Sequence, residues 1–243
     1  AVAAGAGDDG RRQLTTMASA PPADDETLDN DYRLIREVTR EAGKLAADYF
    51  HRSFEAWEKS PGNPVTEADL AVDDLIKRRL LGTRPNYGWL SEETVDDPAR
   101  LDRDRVEHGR PVLGCLYAPM RDLFFTARAG QGAQLNGLGI RVGRSDTLAG
   151  CRMLADKQLF EAAFWPERWP DMHIEKPNSI ALRLGLVAAG MADAAVALRP
   201  KSEWDLAAAW LVLTEAGGVC TDHLGAHPRF NRPDPVYPTV VAA

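Results

Sequence analysis

Cysteine is scarce in this 243-residue chain: Cys115, Cys151 and Cys220 stand far apart and form no CxxC pair. That argues against a disulfide framework or a zinc site and predicts a reducing, cytoplasmic setting. Long apolar runs are missing too. Nothing approaches the roughly 20 residues that span a bilayer, so no membrane partner is expected. The first residues lack the basic-then-apolar layout of a secretory signal. Positive charge is not in excess, with 29 Lys and Arg against 36 Asp and Glu and a formal net charge of −7. Such a chain has no general positive field to hold a nucleic-acid polymer by counterion release. A small phosphorylated metabolite is not excluded, because divalent cations can neutralise its charge locally. The five histidines, His51, His108, His173, His223 and His227, show no metal-site spacing. A nucleotide-binding GxGxxG loop is also missing, since Leu135 stands where a third glycine should follow Gly130 and Gly132.

What is present is an ordinary globular composition, 44% apolar and 27% charged, long enough for one large or two modest domains. Residues 1–27 are small, polar and Pro/Gly-containing and read as a disordered leader, with Met17 a candidate natural start. Apolar spacing predicts a helix over about Leu28–Arg52, capped by Asp29 or Asn30, then an extended stretch to Lys59. The run SPGNP at 60–64 breaks the chain before a second helix, about Glu67–Leu81, with Gly82 as its C-cap. Tyr87–Leu90 reads as a short buried strand leading into Ser91-Glu92-Glu93. Residues 112–128 read as two strands around a turn at Pro119–Asp122, and Asn136-Gly137 as a hairpin turn. After Gly150 strands and helices alternate: helix Leu182–Gly190, strand Asp193–Leu198, helix Leu206–Ala216 ended by Gly217-Gly218, and strand Val219–Thr221. Residues 28–150 are thus predicted to be α+β and 151–243 α/β. One place does not read through. The turn-like Glu107–Arg110 should join two strands, and the first is missing near 105–107.

Asp69, Glu92, Glu93 and Asp205 each stand at the edge of a predicted element. Singly, Asp69 reads as a first-turn acid, Glu92-Glu93 as a solvated loop pair and Asp205 as an N-cap. Together they form a set that could converge on one crevice. Hard divalent cations take carboxylate oxygens, and two such ions can activate a water and stabilise the leaving oxygen of a phosphate ester.

The ordered motifs NPVTEAD (63–69), SEE (91–93), GQGAQLNG (130–137), WDLAA (204–208) and EAGG (215–218) resemble the inositol monophosphatase superfamily. That superfamily also contains fructose-bisphosphatases and 3'-phosphoadenosine nucleotidases. The resemblance runs from about Leu28 to the last residue. It implies a layered αβαβα sandwich and lithium-sensitive hydrolysis of a phosphate monoester, with two or three Mg2+ per site and Mn2+ as a substitute. It also implies that Glu92 ligates the first metal and Glu93 orients the metal-bound water. Asp205 would ligate the second metal, and Asp69 would support the nucleophilic water. Lys59 would lie near the phosphate and Ser179 near the sugar, and members are commonly homodimers. The family's Asp-Pro-Ile-Asp-Gly-Thr signature should lie between Glu93 and Gly109, and it is absent at the place where a strand is already missing. Residues omitted because disordered, a truncated chain and an eroded site acting in binding or regulation all remain open, and the intact flanks favour the first. Inositol-specific members carry a glutamate seven positions before the last aspartate, where this chain has Leu198. Pro200–Asp205 is more similar to bacterial adenosine 3',5'-bisphosphate nucleotidases.

Overall fold

The computed structural model describes residues 25–52, 56–60, 63–102, 109–161 and 165–243. Helix α1 (Asp25–Phe50) buries Val38 and Ala42, one turn apart on one face, and lies alongside α2 (Glu67–Thr83). Arg79 of α2 reaches Glu37 and Glu41 of α1, and Arg84 reaches Asp31. Strands β1 (Ala56–Ser60) and β2 (Asn63–Thr66) form an antiparallel pair leading into α2. Strands β3 (Leu113–Ala118), β4 (Leu123–Arg128), β5 (Ala133–Leu135) and β6 (Leu138–Ile140) make an antiparallel sheet in sequence order, so β3 is an edge.

Helix α1 covers one face of this sheet. On the other lie α4 (Ile180–Ala188) and α5 (Glu203–Glu215), which pack on each other. Gly114 of β3 lets the strand approach α5 closely: an added Cβ would stand 2.9 Å from the Ala208 carbonyl oxygen.

Beneath these helices runs a five-stranded mixed sheet in the order β11 (Cys220–Thr221), β13 (Val240–Ala242), β9 (Ala194–Ala197), β7 (Arg152–Leu154), β8 (His173–Glu175). Alternation along β9 serves two cores. Ala195 and Ala197 join the cluster under α4 and α5, while Ala194 and Val196 join a second cluster with Phe160 of the short α3 (Lys157–Glu161). The layers therefore run helix, sheet, helix, sheet, helix, the sandwich that the resemblance implied. A two-stranded ribbon, β10 (Lys201–Ser202) with β12 (Val236–Tyr237), leads into α5. Among the described residues no helix is long and apolar enough to cross a membrane.

Several boundaries depart from the expectations. Helix α1 begins at Asp25, so residues 25–27 are helical and Asp29 and Asn30 lie inside the helix; the rest of the predicted leader, residues 1–24, and Phe54 and residues 103–108 fall outside the described residues. Helix α2 runs through Gly82 to Thr83. Its C-cap is Arg84, whose amide bonds the Leu80 carbonyl at 2.8 Å while its side chain is held by Asp31. The predicted strand Tyr87–Leu90 is reduced to a single bridge at Tyr87 among the described residues. The two predicted turns are as expected: Asp122 is left-handed at φ 49°, and Asn136-Gly137 has φ 51° and 84°.

Replacing Gly114 by valine should force β3 and α5 apart and cost about 1–3 kcal/mol in urea unfolding. An unchanged midpoint would show that the two do not touch there.

Candidate active site

The first turn of α5 carries three of the motif residues in different directions. Ser202 is the N-cap, and the Asp205 carboxylate accepts its amide at 3.3 Å, so Asp205 sits at the third helical position rather than at the cap itself. Burial pushes the Asp205 carboxyl above its ordinary value, against the opposing pull of the Ser202 amide and the Lys201 charge. Glu203 turns inward and is 2% exposed. It accepts the backbone amides of Asn231 (2.6 Å) and Arg232 (3.2 Å) and the Arg232 guanidinium (3.2 Å). Trp204 points the other way and is partly exposed.

The second group of acids is organised by α2. Thr66 caps the helix, and Asp69 accepts both its amide and its hydroxyl at 2.8 Å, so Asp69 closes a capping box. One turn on, on the same face, Asp73 accepts the Thr94 hydroxyl at 3.0 Å. Ser91 accepts from the Trp89 indole and from the Thr94 amide. The loop carrying exposed Glu92 and half-buried Glu93 is thereby tied to the helix face that begins at Asp69.

A cavity of about 360 Å3 has Trp89 and Leu90 on one wall and Trp204 and Ala207 on another. None of Asp69, Glu92, Glu93 and Asp205 lines it, and α2 reaches it only through Leu80 near its C-terminal end, away from Asp69. Ser179 is exposed and caps α4 by accepting the Leu182 amide at 3.2 Å, a structural use that leaves it at the surface. Lys59 lies in β1, and its side chain is outside the described residues. Burial drives the thiols of Cys115 and Cys220 up to about 12, so neither serves as a nucleophile at neutral pH.

The donor set does not complete a pair-of-cations centre. Among the described residues no three His, Cys, Asp or Glu side chains gather where they could hold a metal ion. Asp69 and Asp205 each complete a capping box as its third helical residue.

Sequence reasoning missed the anchors of the site. Arg100 is 4% exposed and joins the Asp96 carboxylate, the Asn231 side chain and the Arg232 carbonyl. With Glu203 it fixes the 229–232 loop against α5. Nothing in the local pattern of either residue announces a partner some 30 or 130 positions away.

The comparisons agree with this architecture. A family model described as the inositol monophosphatase family matches residues 105–240. The Nus factor SuhB of Escherichia coli is 31% identical over 228 residues, covering 78% of this chain and 84% of that protein. A histidinol-phosphatase of Chlorobaculum parvum is 29% identical, covering 80% and 86%. Among solved structures, the Thermotoga maritima IMPase superposes with a TM-score of 0.72 at 24% identity, covering 90% of this chain and 92% of that one. The chain belongs to the inositol monophosphatase family, and with it to the phosphoric monoester hydrolases. The 228 positions aligned to SuhB draw on only 78% of 243 residues, about 190, so about 38 positions face no residue here. That internal shortfall accords with the signature missing between Glu93 and Gly109.

Two outcomes are expected. Asp205 is desolvated only when folded, which raises its carboxyl, so its charge opposes folding at pH values above that raised value. That penalty is relieved as pH falls through the raised folded value toward the unfolded value near 3.8. Asp205→Asn should raise Tm at pH 7, and the gain should close as pH approaches 4. Glu203→Ala strands the Arg232 guanidinium and two amides and should cost about 3 kcal/mol by denaturant titration.

Proposed function

We propose that this member of the phosphatase family acts on a small phosphorylated metabolite at the N-terminal turn of α5, with adenosine 3',5'-bisphosphate favoured over inositol 1-phosphate. The observation that carries the reading is the half-buried Asp205 in the first turn of α5, with the Lys201 charge close enough to act on its carboxyl. Support for the nucleotide comes from Leu198, 38% exposed, in the place where a glutamate would hydrogen-bond sugar hydroxyls. In this reading Lys201 meets the phosphate charge and Glu203 holds the turn in place. Asp205 orients groups at the phosphate.

Mg2+, with Mn2+ as substitute, and sensitivity to lithium belong to the same reading through the family resemblance. The incomplete ligand set limits turnover, since electrostatic stabilisation is the largest single term in such chemistry. A second reading is a binding or regulatory member, and the absent signature together with the capping use of Asp69 and Asp205 favours it. Both readings place a phosphate ester at α5.

Calorimetry and phosphate release should be measured on the same preparation. The substrates are adenosine 3',5'-bisphosphate, inositol 1-phosphate and fructose 1,6-bisphosphate, with and without Mg2+ and Li+. The expected result is preferential binding of the bisphosphonucleoside, with slow release that Asp205→Asn abolishes. Binding with no release under any condition supports the regulatory reading. No binding of any of the three contradicts both.

A further inference from the structure

The cavity between α1, β3 and α5 has a chemistry unlike that of a phosphate site. Its walls are aliphatic and aromatic, including Leu34 and Ile35 of α1, Trp89, Leu90, Leu113 of β3, and Trp204. All of these are only partly buried, and α2, a 17-residue helix on the same side, buries no residue at all. Apolar surface left in this state is expected to accept a ligand that removes it from water.

Four ionic side chains reach the cavity, and each is already satisfied by the protein. Asp31 is held by Arg84 (2.7 Å) and the Tyr87 hydroxyl (2.5 Å). Arg84 is held by Asp31 and the Thr83 carbonyl. Arg100 is held by Asp96, Asn231 and the Arg232 carbonyl, and Glu203 by Asn231 and Arg232. A charged ligand would find no counter-ion here and would pay its desolvation in full. An uncharged one meets no such cost.

Size narrows the class further. An apolar cavity of about 150 Å3 accepts one benzene ring, and this one, at about 360 Å3, has room for two fused rings. Tyr87, Trp89, Trp204 and Phe230 supply aromatic surfaces around that volume.

We propose that this cavity binds an uncharged aromatic molecule of about two fused rings, at a site separate from the phosphate-handling acids. None of Asp69, Glu92, Glu93 or Asp205 lines it, so the proposal does not depend on the phosphatase reading.

Calorimetric titration with 2-naphthol tests it, since that phenol, like tyrosine's, stays protonated at pH 7. Naphthalene-2-sulfonate is the charged control of the same shape. The expected result is saturable one-to-one binding of 2-naphthol, with the sulfonate at least tenfold weaker. Ala207→Trp fills the cavity from α5 and should weaken 2-naphthol at least tenfold without lowering Tm. Should that variant not fold, Leu34→Trp fills it from α1 and carries the same expectation. Equal binding of naphthol and sulfonate would overturn the proposal. So would undiminished naphthol binding by a folded filled variant, or no binding to the unmodified protein.

Discussion

Packing of the first turn of α5 constrains everything around it. Successive side chains leave a helix about 100° apart, and here four consecutive residues have four different tasks. Glu203 turns into the protein to hold the 229–232 loop, Trp204 faces the cavity, Asp205 reaches back to Ser202, and Leu206 enters the core at 1% exposure. Rotating or sliding the helix would strip the buried Glu203 of its partners and pull Leu206, Val212 and Leu213 from a closed core. The position of Asp205 is therefore set by its neighbours rather than by its own single bond.

The opposite wall is built more lightly. Helices α1 and α2 are joined largely by half-exposed ion pairs such as Arg79 with Glu37 and Glu41, and such pairs contribute little in water. Elements with few buried apolar contacts open at lower free energy than a packed core. The region bearing Asp205 is thus packed more firmly than the pair α1 and α2. Among the described residues β3 ends its sheet as an edge strand, and its Leu113 lines the cavity.

What the sequence disclosed follows the range of the forces involved. The turns at Pro119–Asp122 and Asn136-Gly137 were legible because their backbone demands are local. The start of α5 was placed late because Asp205 resembles an N-cap, whereas Ser202 caps three residues earlier with Asp205 completing the box. Gly82 misled because the helix is extended by tertiary contacts of Arg84 with Asp31. Tyr87–Leu90 has strand composition but pairs only as a single bridge among the described residues. The four acids Asp69, Glu92, Glu93 and Asp205 were singled out by the order of their motifs, a signal independent of their local structure. Glu203 and Arg100, whose partners are distant in the chain, left no local trace.

A crystal structure with adenosine 3',5'-bisphosphate examines the claim on which the functional reading stands. It should place a phosphate at the N-terminal turn of α5, within reach of Lys201 and Asp205. Glu92 and Asp205 on opposite sides of the molecule, or a nucleotide bound away from α5, would contradict it.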